Sequence, residues 1–145
     1  MRDFNATRKA GTETGEAPPD AIFTGPLAYM HNLVSTAQLK ILLERKADLV
    51  LVNVLDRPEF AQEHIPGSIN IPVAEIERIA PQLIKSSDLI VVYCRTSRCR
   101  ASAVAADKLS TIGYDNVMRY SAGIRGWKAA DLPVEGLYTD TRRAA

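Results

Sequence analysis

Soft metal ligands are scarce in this chain: 145 residues hold two cysteines and two histidines. They do not form a closed ligand set by spacing, so no metal is expected. Two cysteines are also too few for a disulfide framework, and they read as reactive or as simply buried. Excess charge is missing as well. The formal net charge is +1, which argues against broad electrostatic binding to nucleic acid and leaves only a local basic patch. No apolar run is long enough to cross a bilayer. The opening MRDFNATRKAGTETGEAPPD has no apolar core of the kind a secretion signal needs. No glycine-rich phosphate loop of the nucleotide-binding kind is present, and no cofactor is expected. These absences predict a soluble, cytoplasmic protein without a nucleic-acid or membrane partner.

What is there is enough for one domain with a real core, at 46% hydrophobic and 24% charged residues. Residues 1–25 are rich in Thr, Glu, Gly, Pro and Ala without periodicity and are expected to be a flexible leader. The domain is expected over residues 26–136, with a C-terminal tail over 137–145. Residues 28–34 are short and mixed and predict no element; His31 among them reads as a surface histidine. Ser35-Thr36-Ala37-Gln38 has the capping-box pattern. It opens a helix with Leu39, Leu42, Leu43 and Ala47 on its inner face. LVLVNVL, residues 49–55, is a β-rich run without alternation, which suits a strand buried on both faces of a parallel sheet.

DRPEFAQEH predicts a turn and a short helix, and Pro66-Gly67 a turn into a short strand over residues 68–71, stopped by Pro72. A helix is expected over 74–80, and a second buried strand over 88–94. Residues 101–112 predict a helix whose inner face is Ala103, Ala105 or Ala106, Leu109 and Ile112, ended by Gly113 as the C′ residue. A third strand is expected over 117–120. AGIRGWKAADLP then gives a Gly-bounded turn and a short helix that Trp127 packs onto the sheet. Strands alternating with helices predict an α/β domain with a parallel sheet.

The stretch VVYCRTSRCRASAVAADKL concentrates the chemistry. Cys94 sits where a parallel strand ends and a loop leads into a helix, the edge at which open α/β sheets bind ligands. Loop N–H groups and a helix N-terminus favour an anion there. Arg95, Arg98 and Arg100 add positive charge, with Arg119 further on. Cys94 is therefore expected to have a depressed pKa and to act as a nucleophile; the alternative is a packed, inert core cysteine. Cys99 is either a partner thiol for Cys94 or a small residue at the helix start. A disulfide between them requires the loop to curl until the α-carbons approach to about 5.5–6 Å.

At these residues the sequence resembles the rhodanese-like family. VVYC with its loop and alanine-rich helix, followed by GYDNVMRYSAGIRGWKAADLPVEG, is similar to the second half of such a domain. LVNVLDRPEFAQEHIPGSINIP, with His64-Ile65-Pro66-Gly67, is similar to the first half. The resemblance spans roughly residues 34–136. It implies a rhodanese-like fold, a central parallel sheet flanked by helices on both faces. It also implies a sulfurtransferase. The cysteine at position 94 takes a sulfane sulfur from thiosulfate or a persulfide donor and passes it to cyanide, a thiol or a protein thiol partner. On this reading Cys94 is catalytic, and Arg95, Thr96, Ser97, Arg98, Cys99 and Arg100 bind substrate, their backbone cradling the persulfide. Cys99 is the candidate resolving thiol.

The chain departs from the family pattern in its loop, which is two residues longer than Cys-Arg-Ser-Gly-x-Arg and resembles a subgroup with Cys-x4-Cys. The usual acid and arginine at the preceding strand end are Asn53 and Leu55. Arg57 is the nearest residue that could restore the charge. Two alternatives remain. One is a Cys94/Cys99 thiol–disulfide switch. The other uses Cys-x5-Arg, Cys94 with Arg100, as a phosphatase or arsenate reductase does. Tyr93 and Ala101 stand where that pattern has His and Ser or Thr, and no general acid is evident. His64 is expected to hold its turn by hydrogen bonds rather than act as a base.

Overall fold

The computed structural model describes residues 32–137. The expected leader, His31 and the tail beyond Leu137 lie outside the described residues. In chain order the elements are β1 (Asn32–Leu33), α1 (Thr36–Glu44), β2 (Val50–Asn53), α2 (Arg57–Gln62), β3 (Ile69–Asn70), α3 (Ile76–Leu83), β4 (Ile90–Tyr93), α4 (Ala101–Thr111), β5 (Val117–Tyr120) and α5 (Gly123–Ala129). A 3₁₀ turn, Val73–Glu75, leads into α3. The five strands form one sheet in the order β1-β5-β4-β2-β3, and every pair is parallel.

The unbroken apolar runs predicted this. Every residue of β4 is buried, so both faces of the central strand are covered. Alternation on β5 shows by what. Arg119 points to α4, where its Nε reaches Ser102. Tyr120 points the other way, its hydroxyl 2.6 Å from Thr36 Oγ1 on α1 and its ring edge-on to Trp127 of α5 at 6.2 Å. Helices therefore flank the sheet on both faces. Register aligns Asn53 with Tyr93 and Tyr93 with Tyr120, a buried row across the carboxyl ends of three strands. Cys94 is the next residue.

Local signals held where their bonds are local. Ser35 Oγ accepts from Gln38 N–H and Gln38 Oε1 accepts from Ser35 N–H, closing the capping box. Such a cap contributes about 1 kcal/mol. Gly113, at φ +108, ends α4 in a Schellman arrangement: Tyr114 N–H reaches Leu109 O and Gly113 N–H reaches Ser110 O.

Four expectations are corrected. β1 falls in a segment that predicted no element; its two residues are exposed and become a strand only by pairing with Met118 and Arg119. α1 ends at Glu44, and Ala47 is exposed beyond it. Lys46 at φ 54 closes the helix where no glycine announces a stop. α3 runs past Pro81 to Leu83, because a proline in the last turn removes one helical bond and Ile84 N–H still closes on Ala80 O. On α4 the buried face is Ser102, Ala105, Ala106 and Leu109, while Ile112 is exposed and Ala103 half-buried. A polar residue occupies the position that the apolar pattern assigned to its neighbour.

Candidate active site

Cys94 leaves the end of β4 almost fully buried, at 1% exposure. Its backbone is clamped by α5. Ile124 N–H donates to Cys94 O at 3.1 Å and Arg125 N–H to Arg95 O at 2.9 Å. This approach needs glycine at 123. Its φ is +68, and a Cβ there would lie 2.6 Å from Cys94 O and 2.7 Å from Arg95 O. The Gly-bounded turn read from the sequence is thus what brings the last helix against the loop.

The sulfur faces oxygen more than nitrogen. Cys94 Sγ donates toward Cys99 O at 3.5 Å and lies 3.9 Å from Thr96 O. Two loop donors are spent inside the loop: Arg98 N–H on Thr96 Oγ1 at 3.2 Å and Cys99 N–H on Thr96 O at 3.1 Å. The expectation of a depressed pKa is corrected accordingly. Burial first, then the side chain of Cys99, push the Cys94 thiol above its ordinary range. Ser102 works against them, its backbone N–H and its side chain both lowering the value. Both cysteines are free thiols, Cys94 buried and Cys99 half-buried.

The loop cations divide into two kinds. Arg95 turns to α2, with Glu59 Oε2 at 3.1 Å and Glu63 Oε2 at 4.0 Å. Lys128 also reaches Glu63, at 3.0 Å. Ser97, Arg98 and Arg100 are exposed, and neither arginine has an ion pair among the described residues. Thr96, Ser97 and Arg98 form one wall of a cleft of about 500 Å³ whose other wall, on α5, includes Arg125. A second cleft of about 220 Å³ lies between Glu63, Arg95, Thr96, Arg125 and Lys128. Arg125 was not singled out from sequence, although it sits in the quoted AGIRGW stretch two residues after the glycine.

Three neighbouring features are structural. Arg57 is tied to Glu75 at 2.5 Å and does not restore charge at the sulfur. Asn53, fully buried, accepts Leu55 N–H at 2.9 Å through Oδ1. Its Nδ2 has no hydrogen-bond partner. His64 donates from Nδ1 to Phe60 O at 2.7 Å, stacks on the Phe60 ring at 3.8 Å and pairs its backbone with Glu135. That is the turn-holding role expected of it.

Comparison with known proteins agrees with this architecture. A family model described as the rhodanese-like domain matches residues 35–130, and the chain belongs to the rhodanese-like family. Among curated relatives, the HTH-type transcriptional regulator Rv0324 of Mycobacterium tuberculosis is 36% identical over 97 residues, 66% of this chain and 42% of that protein. The thiosulfate sulfurtransferase PspE of Escherichia coli is 42% identical over 60 residues, 41% of this chain and 56% of that protein. The chain thus spans about half the length of these relatives. The solved structure of the human single-domain sulfurtransferase TSTD1 superposes with a TM-score of 0.60 at 27% identity, covering 67% of this chain and 95% of that one. Sulfurtransferases thus stand among its relatives.

Proposed function

We propose that this domain is a sulfurtransferase that carries sulfur as a persulfide on Cys94. The observation that carries the reading is the placement of Cys94: it follows a buried parallel strand, on a loop clamped by α5 and leading into the N-terminus of α4. The Cys94 thiolate attacks the outer sulfur of thiosulfate, the S–S bond breaks, and sulfite leaves with its electron pair. The persulfide then gives its terminal sulfur to cyanide as thiocyanate, or to a thiolate as a new persulfide, and the Cys94 thiolate returns. A persulfide donor or a protein thiol partner enters the same scheme. Arg98 and Arg100, unpaired among the described residues, attract the anionic donor, while Arg95 orders the loop against α2. No cofactor is needed. We place the function in the cytoplasm, where thiols stay reduced, and assign it to residues 26–136, with 1–25 and 137–145 outside the working domain.

One observation favours a second, compatible role. Cys94 Sγ lies 3.5 Å from the backbone oxygen of Cys99 and both thiols are free, which allows Cys99 to attack the inner sulfur of the Cys94 persulfide. A Cys94–Cys99 disulfide forms and hydrosulfide leaves. Intact mass of the reduced protein after thiosulfate tests both. Wild type and Cys99→Ser are expected to gain one sulfur, and Cys94→Ser none, a loss of at least about 10³-fold in transfer rate. Sulfur gain by Cys94→Ser would sink the assignment. A disulfide in wild type with a stable persulfide in Cys99→Ser makes Cys99 the resolving thiol. No gain in any variant turns attention to phosphate or arsenate.

A further inference from the structure

The two clefts meet at Thr96 and Arg125, and they differ in charge. The smaller, about 220 Å³, is lined by an acid and by cations already matched to it. Glu63 is buried, accepts from Lys128 Nζ at 3.0 and 3.2 Å, and has Arg95 at 4.0 Å. The larger, about 500 Å³, has Arg98 on one wall and Arg125 on the other, and no acidic residue lines it among the described residues. Neither guanidinium has an ion pair or a hydrogen bond among the described residues. Both backbones are held. Arg98 N–H bonds to Thr96 Oγ1 at 3.2 Å, and Arg125 N–H to Arg95 O at 2.9 Å. The α5 wall adds Ala122, Gly126 and Ala129, with no long apolar side chain to fill the space.

This cleft borders the sulfur through Thr96, whose carbonyl oxygen lies 3.9 Å from Cys94 Sγ. Its volume falls among pockets that take small organic molecules, roughly 300–1,000 Å³, and exceeds what cyanide or thiosulfate would fill. A guanidinium takes a carboxylate through two parallel N–H bonds. Two guanidiniums on facing walls suit two carboxylates on one molecule.

We propose that Arg98 and Arg125 are specificity-determining residues that select, as sulfur acceptor, a small organic thiol carrying two carboxylates. The inference rests on Cys94 forming a persulfide. Once sulfite has left, Arg98 is free to bind a second anion. The acceptor gives its thiol proton to solvent, and its thiolate attacks the terminal sulfur of the Cys94 persulfide. A new S–S bond forms, the bond to Cys94 Sγ breaks, and the Cys94 thiolate leaves with the electron pair. The smaller cleft disfavours the same molecule, because Glu63 repels a carboxylate and already engages Arg95 and Lys128.

A competition on the full chain tests this. The protein is loaded with thiosulfate, desalted, and mixed with equal excesses of mercaptosuccinate and 2-mercaptoethanol. The two persulfide products are trapped by alkylation and their ratio is read by mass. The ratio does not depend on how much sulfur a variant loads. Arg125→Met and Arg98→Met should each shift it about threefold away from mercaptosuccinate, the size of one exposed ion pair. Arg125→Glu should shift it further, and Arg125→Lys should restore part. Salt at about 0.5 M should draw the wild-type ratio toward that of the variants. Lys85→Met, which removes a charge outside both clefts, should leave the ratio alone. A fold that had merely loosened would give Arg125→Met and Arg125→Glu the same ratio. Equal ratios in wild type, Arg125→Met and Arg125→Glu overturn the proposal while leaving the sulfurtransferase reading intact. A shift with Arg125→Met and none with Arg98→Met overturns the two-carboxylate claim. Wild type that takes no sulfur from thiosulfate sinks the transfer reading, and this inference with it.

Discussion

Tyr93 and Cys94 are neighbours at the end of one strand, and their side chains meet opposite surroundings. The Tyr93 hydroxyl closes a ring of bonds. It accepts from Ile65 N–H at 3.0 Å and shares a 2.8 Å bond with Ser68 Oγ, which itself donates to Ile65 O at 2.7 Å. Each of these polar groups is used, and the ring fixes the His64–Pro66–Gly67 turn against the sheet. The Cys94 thiol meets the Thr96 and Cys99 carbonyls, which suit its protonated form, and burial pushes its pKa up. One side of the strand end is a finished structural joint. The other holds a group whose charged state is poorly served at rest, which is the condition for a site that changes state.

The sharpest way to break the contrast is Gly123→Ala. The added Cβ would strike Cys94 O and Arg95 O, at a backbone angle that L residues rarely adopt. A loss of about 2–4 kcal/mol is expected in denaturant midpoints, together with loss of sulfur loading. Stable protein with normal loading would show that the α5 clamp does not shape the loop. Tyr93→Phe attacks the other side. It strands the buried Ile65 N–H and should cost about 1–3 kcal/mol, yet thiosulfate loading of Cys94 should persist. Loss of loading in a folded Tyr93→Phe protein would mean that the two surroundings are coupled.

The smallest effect is in pH. Burial raises the pKa of Cys94 and, mainly through the same cause, those of Tyr93, Tyr114 and Tyr120. Each group binds its proton more tightly folded than unfolded. Stability is therefore full below the unfolded values, about 8.5 for a thiol and about 10 for a phenol, and falls as pH rises past them toward the folded values. Urea midpoints should decline first in the thiol range and then in the phenol range. Cys94→Ser should flatten the first decline and leave the second. An unchanged slope in Cys94→Ser would argue that the thiol is not burdened by the fold.

Much of this was open to a reader of the chain alone. The runs that became β2 and β4 are apolar without alternation, because strands of a parallel sheet are covered on both faces. The Ser35 cap and the Gly113 stop rest on bonds between residues a few positions apart, so a short window contains them. For the same reason Cys94 could be placed at a strand end before any fold was known.

What tertiary structure decided depends on distance along the chain. β1 exists only through β5, some 85 residues on. Arg95 finds Glu59 across 36 positions, an ion pair that ties the loop to α2. The state of the Cys94 thiol depends first on its burial and then on which way loop peptides turn, with the Thr96 and Cys99 carbonyls toward the sulfur. Residue types and spacing determined that a cysteine stands at this sheet edge. The direction of its pKa came from burial and from the dipoles folded around it, which no local pattern encodes.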